Sequence, residues 1–300
     1  MITFEHTSGK LGTSFVDNFS TPALGRSVAL LGTANDGVTA ALALAGGALR
    51  AKQGTVRVFG EDPTLAAARG SLAYVPLAHT LPSDLTVAEL LTLASISRDD
   101  AVHTRESASA RLDQFGAAAL ARRRIGALSA AEVRTVLLVE AFTSPGVRAL
   151  VIDEPRVEVS PEVARVLVPR FGELVGSGGT VLIGTSSARD AVELVDAVAV
   201  VRGGRFFTSV RSNELLLSPP GSECYVRVLA ADGGKLVSAL SQRLDERNVA
   251  LTNGTIVIRG SEPLAIADAI AGACLETNVD ILELRHVLPT IPGAGGASPP

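Results

Sequence analysis

Two clusters of residues have the types and spacing for phosphate chemistry. Gly32-Thr33-Ala34-Asn35-Asp36-Gly37-Val38-Thr39 has the spacing of a phosphate-binding loop, G-x-x-x-x-G-K-[ST]. Such a loop turns backbone N–H groups toward an anion at a helix N-terminus, and Gly32, Asn35, Gly37 and Thr39 are its candidate nucleotide-binding residues. Thr39 would place a hydroxyl on Mg²⁺. Val38 stands where a lysine should reach the β- and γ-phosphates. Losing one charge-assisted hydrogen bond costs about 1.5–3 kcal/mol, or roughly ten- to a hundredfold in binding. Asp36 adds a negative charge to the same loop. The second cluster ends the apolar run Ala149-Leu150-Val151-Ile152 with Asp153-Glu154-Pro155. A buried strand ending this way sets two carboxylates at the edge where ligands of α/β folds bind. Asp153 would hold Mg²⁺ and Glu154 would polarise a water. The alternative for each cluster is bland: a glycine turn, and a solvated acidic strand end.

The elements that would position these groups follow from the apolar pattern. Ser27–Leu31, Leu72–Val75, Ala149–Ile152, Thr180–Ile183 and Ala197–Val201 are short apolar runs separated by helical segments. That alternation predicts a parallel sheet covered on both faces. Ala40–Leu49 favours a helix, and Gly54–Gly60 alternates like a half-buried strand. Residues 86–142 have a helical pattern, opened by Thr86 as N-cap with Glu89 three residues on.

Ser218-Pro219-Pro220-Gly221-Ser222 is the linker signal. It divides residues 1–217 from a small domain over 223–290. In the small domain Tyr225–Leu229, Val249–Leu251, Thr255–Ile258 and Val279–Leu284 read as strands, with Asn253-Gly254 as a hairpin turn. Lys235–Arg247 and Pro263–Leu275 read as helices, giving the ferredoxin-like order β-α-β-β-α-β. The Gly/Ala/Ser/Pro-rich end, 291–300, is expected to be a disordered tail.

The bulk numbers exclude several classes. Of the 300 residues 47% are hydrophobic and 19% charged, enough for a large core. Trp is absent and aromatics are 4%, which leaves no stacking platform for single-stranded nucleic acid. A net charge of −4 points to no nucleic-acid partner. Arg122-Arg123-Arg124 reads as a solvated helix end or loop, with a contact to acidic lipid or a partner as the alternative. Cys224 and Cys274 have no metal spacing and read as free thiols of a reducing compartment. No leader and no membrane-spanning run are visible, so a cytoplasmic chain that docks on a membrane protein is expected. His6, His79, His103 and His286 form no ligand or triad spacing.

From Val28 to Phe207 the chain resembles the ATP-binding subunits of ABC transporters. The landmarks come in order: the loop at Gly32–Thr39, Gly54–Pro63, Ala73-Tyr74-Val75-Pro76-Leu77, Leu128-Ser129-Ala130-Ala131-Glu132, Asp153-Glu154, Thr185-Ser186-Ser187, and Asp196 through Gly204-Arg205. The resemblance implies a P-loop NTPase fold of the ABC type with a helical subdomain. It also implies ATP and Mg²⁺ as ligands, with Gly32, Asn35, Gly37, Thr39 and Ser129 on the nucleotide, Thr39 and Asp153 on the metal, and Glu154 as the catalytic residue. The chain departs from the family at Val38, at Leu77 for the Q-loop glutamine, at Ala130, Ala131 and Glu132 in the signature, and at Ser186 for the switch histidine. No clear aromatic for the adenine ring stands out between Ser8 and Asn18. Ile281–Pro289 resembles the end of the accessory domain on ABC-2-type exporters.

The expectation is therefore a degenerate ABC subunit that binds nucleotide weakly or not at all. It would dimerise with itself or an intact paralogue and act structurally or by regulation on an ABC-2-type permease at the inner face of the plasma membrane. One alternative is a weak ATPase that borrows a cation such as Arg26 or an arginine of a partner. Another is a nucleotide-independent scaffold in a motility or envelope assembly.

Overall fold

A computed structural model describes residues 1–21, 25–97, 107–212, 224–260 and 263–287. The chain divides into two compact units, 1–212 and 213–300. The expected linker at 218–222 and the tail at 291–300 lie outside the described residues, as does His103.

The first unit is built on a six-stranded sheet in the order β5-β6-β7-β3-β8-β9. Its strands are β3 (Ser27–Leu31), β5 (Leu72–Val75), β6 (Ala149–Asp153), β7 (Thr180–Thr185), β8 (Ala197–Arg202) and β9 (Arg205–Arg211). All neighbours are parallel except β8 and β9. Every residue of β6 and β7 is buried, as the unbroken apolar runs require of strands covered on both faces. A second, antiparallel sheet has the order β2-β1-β4, from β1 (Ile2–Leu11), β2 (Ser14–Phe19) and β4 (Gln53–Val58).

Helix α1 (Val38–Ala45) lies in one core with both sheets. All of its residues but Thr39 are buried, and the cluster joins Leu42 and Leu44 to Phe4 and Phe19 and to Leu30 and Val151. An Ala/Leu helix that is apolar all round can exist only when enclosed in this way. Short α2 (Pro63–Ala68) precedes β5, capped by Asp62, whose carboxylate accepts from Thr64 N–H at 2.8 Å.

The helical segment holds α3 (Val87–Ser97), α4 (Ala108–Asp113) and α5 (Ala130–Thr143). Thr86 and Glu89 form the expected reciprocal cap, with Thr86 N–H donating to Glu89 Oε2 at 2.7 Å. Buried Arg111 ties the three helices by donating to Leu91 O, Ser95 Oγ and Thr143 Oγ1. The basic run is not simply solvated: Arg124 donates to Asp84 O at 2.8 Å, and Arg123 donates to Ala127 O and pairs with Glu132. Helices α6 (Pro161–Gly176) and α7 (Ala188–Leu194) complete the unit.

In the second unit β10 (Cys224–Ala230), β11 (Val249–Thr252), β12 (Thr255–Gly260) and β13 (Ile281–Val287) form an antiparallel sheet in the order β11-β12-β10-β13. With α8 (Gly233–Leu240) and α9 (Pro263–Thr277) this is the ferredoxin-like order read from the sequence. Asn253 and Gly254 both have positive φ, 50° and 77°, as a two-residue hairpin turn demands. Helix α8 is shorter than expected, because the chain leaves it at Leu240. Cys274 is a free, buried thiol whose pKa burial pushes up to about 11. Among the described residues no helix is long and apolar enough to cross a membrane.

Phe19 is fully buried and meets the Phe4 ring edge-on at 5.1 Å. Phe19→Ala is expected to lower unfolding free energy by about 3–5 kcal/mol in chemical denaturation. A cost below 1 kcal/mol would mean that α1 does not depend on the antiparallel sheet.

Candidate functional site

The loop between β3 and α1 is held in one shape by its own polar groups. Gly32 N–H donates to Thr185 O at 3.0 Å. Residues 34–36 form a single 3-10 turn, closed by a reciprocal cap between Thr33 and Asp36. Thr33 N–H and Thr33 Oγ1 both donate to Asp36 Oδ2, at 2.9 and 2.6 Å. Asp36 N–H donates back to Thr33 O and Oγ1, and Gly37 N–H to Ala34 O. At the first turn of α1, Ala40 N–H donates to Ser14 Oγ of β2 at 3.0 Å. Thr33, Asp36, Gly37 and Ala40 thus have their amides satisfied from within the chain. These are donors of the kind that cradle a phosphate.

The Asp36 carboxylate also meets Arg202 at 2.6 Å, and its carbonyl accepts from Gly204 N–H at 2.9 Å. Partial burial opposes its charge, but the Thr33 donors and Arg202 outweigh it and hold its pKa below the usual range. Gly37 needs its glycine. At φ 98° a Cβ would overlap Phe15 O and press on Gly204.

Val38 is 2% exposed. Its methyls lie where Cβ atoms on Gly32 and Gly184 would have to fit. The position that would carry a lysine has thus become part of the core. Arg26 does not replace that cation: it precedes β3, at the opposite end of the strand from the loop, and donates to Gly178 O. Asn35 lies in the 3-10 turn and is exposed.

The structure brings Thr39 and Asp153 together. Thr39 Oγ1 donates to Asp153 Oδ2 at 3.0 Å. Asp153 is buried, and desolvation raises its pKa despite the Thr39 bond. One hydroxyl and one carboxylate suit a hydrated Mg²⁺ whose remaining ligands are waters and phosphate oxygens. Among the described residues no group of three His, Cys, Asp or Glu could hold a metal unaided.

Glu154 has left-handed backbone, φ 47°. Its carboxylate accepts from Thr185 Oγ1 at 3.0 Å and from Ser186 N–H at 2.8 Å. The segment that replaces the switch histidine therefore grips the carboxylate that would act as base. Leu77 is 37% exposed beside Pro76, whose carbonyl accepts from Arg134 at 2.5 Å. Arg134 is fully buried on α5 and also donates to the carbonyls of Asp153 and Glu154. This cation joins the Leu77 segment, the helical segment and the carboxylate edge, and sequence reading passed over it.

Ser129 caps α5, and its position repeats the loop's arrangement. Ser129 N–H and Oγ donate to Glu132 Oε2 at 2.8 and 3.0 Å, and Glu132 pairs with Arg123. The backbone bond from Ser129 leads the interactions that hold the Glu132 pKa low. Ala130 and Ala131 are the first residues of this helix.

Phe15 lies between Ser8 and Asn18, is 40% exposed, and its ring lies against Gly204 beside the loop. Arg156, in the segment after Glu154, binds Asp190 and Glu193 of α7 at 2.8 and 2.6 Å.

Comparison with known proteins defines the class. Residues 19–157 match the family model described as ABC transporter. The Nod factor export ATP-binding protein I of Burkholderia orbicola is 28% identical over 80% of this chain and 80% of its own length. The daunorubicin/doxorubicin resistance ATP-binding protein DrrA of Streptomyces peucetius is 27% identical over 86% of this chain and 77% of its own. An ATP-binding subunit of an ABC transporter superposes with a TM-score of 0.60, at 20% identity, over 72% of this chain and 91% of its own. A dimeric ATP-binding cassette bound to ADP and Pi gives 0.61, at 16% identity, over 71% of this chain and 99% of its own. The fold is the P-loop NTPase fold of ABC-type ATPases. The amino-terminal unit is an ABC transporter ATP-binding domain, in a chain similar throughout most of its length to ATP-binding subunits of that family.

The buried Asp153 gives a prediction with a definite sign. Burial raises its folded pKa above the ordinary value of 3.8, so folding favours the protonated carboxyl. Its contribution to stability is therefore greatest at low pH and is lost as pH rises through the raised value. Asp153→Asn, which keeps an acceptor for Thr39, should raise the melting temperature at pH 7. The gain should shrink on acidification toward the ordinary carboxylate range. A melting temperature that falls at pH 7 would show that the charge is stabilising and needs a partner cation.

Proposed function

We propose that this chain is an ABC-type subunit that works on a membrane partner of the ABC-2 export type structurally or as a regulator, without hydrolysing ATP. The observation that carries the reading is that four amides of the loop and helix start, those of Thr33, Asp36, Gly37 and Ala40, are bonded within the chain. The burial of Val38 removes the cation, and Thr185 and Ser186 engage Glu154. A phosphate would have to displace Asp36 and bring its own countercharge. On this reading ATP and Mg²⁺ bind weakly or not at all. Thr39 and Asp153 would then be the remnant of the metal site, and no catalytic step follows from the residues present.

The partner follows from the class and its surface. ABC ATP-binding subunits dimerise and work with membrane permeases, and two of the relatives carry export or drug resistance in their names. Leu93 and Ile96 of α3 are 52% and 58% exposed on one helical stripe, an apolar surface suited to a partner. The subunit would sit at the cytoplasmic face of the membrane as a homodimer or beside an intact paralogue. It would lend that paralogue only Ser129, already engaged with Glu132. The second unit would act as the accessory domain.

A second reading is a weak ATPase assisted by an intact partner. The 3.0 Å contact of Thr39 with Asp153 favours it, because both groups are in place for a metal. Calorimetric titration of the full chain with Mg²⁺·ATP to millimolar concentration separates the two. No heat of binding and no turnover are expected. Saturable binding that disappears in Asp153→Asn would reject the nucleotide-independent role and establish the weak ATPase.

A further inference from the structure

We propose that Asp36 is an internal anion of the phosphate loop, a carboxylate that Thr33 and Arg202 hold where the loop would otherwise receive a phosphate. The proposal rests on the nucleotide-independent reading and names the residue that enforces it.

Reciprocal caps are common at helix starts, and the described residues include two ordinary ones, Thr86 with Glu89 and Ser129 with Glu132. Each of those opens a helix of 11 or 14 residues. The cap at Thr33 opens a turn of three residues that ends at left-handed Gly37. A turn so short gains little from capping alone. Its closure comes from outside, through elements far along the chain. Arg202, at the end of β8, reaches Asp36 at 2.6 Å, and Gly204 N–H holds the Asp36 carbonyl at 2.9 Å. Gly204 O in turn accepts from Asp17 N–H of β2 at 3.0 Å. The β8–β9 turn thereby clamps the loop between two sheets.

The side chains of Asp36 and Arg202 are only 15% and 29% exposed, so the pair is poorly screened by water. A diffusing anion meets a loop whose Thr33 N–H and hydroxyl already serve a full negative charge. It also meets the repulsion of that charge. Arg202 supplies the cation that Val38 lacks, but directs it at Asp36. Removing the carboxylate would release Thr33 N–H and Thr33 Oγ1 and leave the Arg202 charge facing the loop in place of Asp36, a donor set for an oxyanion on a glycine loop. The chain has therefore not lost its cradle; it fills the cradle with its own side chain.

The test uses the full chain with inorganic pyrophosphate as probe, followed by calorimetry and thermal shift. Wild type should bind negligibly. Asp36→Ala should bind pyrophosphate at least about tenfold more tightly, in keeping with the worth of one charged hydrogen bond. The double variant Asp36→Ala/Arg202→Gln should lose that gain. If Asp36→Ala does not fold, Asp36→Asn keeps the acceptor, drops the charge and should show a smaller gain of the same kind. A folded variant with no gain overturns the internal-anion proposal and leaves the nucleotide-independent reading standing. Tight binding of pyrophosphate and Mg²⁺·ATP by wild type overturns both.

Discussion

The amino end of α1 cannot be left dry. The helix is enclosed between two sheets, and the first N–H groups of a helix have no partners within it. A buried amide without an acceptor costs about 1–3 kcal/mol. In a phosphate-binding protein the ligand can satisfy such groups. Here Ala40 N–H is taken by Ser14 Oγ and Gly37 N–H by Ala34 O, while the turn ahead of the helix closes on itself through Asp36 Oδ2 and Thr33. Much of the local architecture serves that requirement. Strand β2 supplies Ser14 and lies across Gly37, and the β8–β9 turn supplies Arg202 and Gly204. Val38 turns into the core at the position where the motif would carry a cation.

The other half-sites follow the same economy of donors. Glu132 takes the donors of Ser129, and Glu154 takes those of Thr185 and Ser186. Charged side chains are matched nearby: Arg123 to Glu132, Arg156 to Asp190 and Glu193, Arg202 to Asp36. Arg134 is the costly member of the set. It is buried, and desolvation leads the effects that lower its pKa, although Asp153 and Glu158 oppose that. Its return is mechanical, because it binds the carbonyls of Pro76, Asp153 and Glu154 and so fixes the carboxylate edge to the Leu77 segment. The fold is that of the P-loop NTPases, and several polar groups at the candidate site are bonded to one another.

The parallel sheet and the ferredoxin-like unit were legible in the sequence because each strand carries its own signal: an unbroken apolar run, or alternation around Asn253-Gly254. The β1–β2 pair was not. Its register shifts between Thr7 and Gly9, which breaks the period-two pattern. Without that hairpin in view, Ser14 and Phe15 had no visible place beside the loop. The approach of Thr39 to Asp153 was readable, since both follow apolar strands of one sheet. Asp36 was read only as an added negative charge, because Arg202 lies 166 residues away and nothing local marks the pair. Arg26 was one candidate for a substitute cation. The strand direction puts it at the wrong end of β3. Long-range pairing of charges, more than secondary structure, is where the sequence falls silent.

Hydrogen exchange at the amides of Thr33, Asp36, Gly37 and Ala40, with and without millimolar Mg²⁺·ATP, tests the account at its root. Internal saturation predicts amides that are already protected in the free protein and unchanged by nucleotide. Amides that exchange freely alone and become protected when Mg²⁺·ATP is added would show that the loop waits for a phosphate, and would contradict the account.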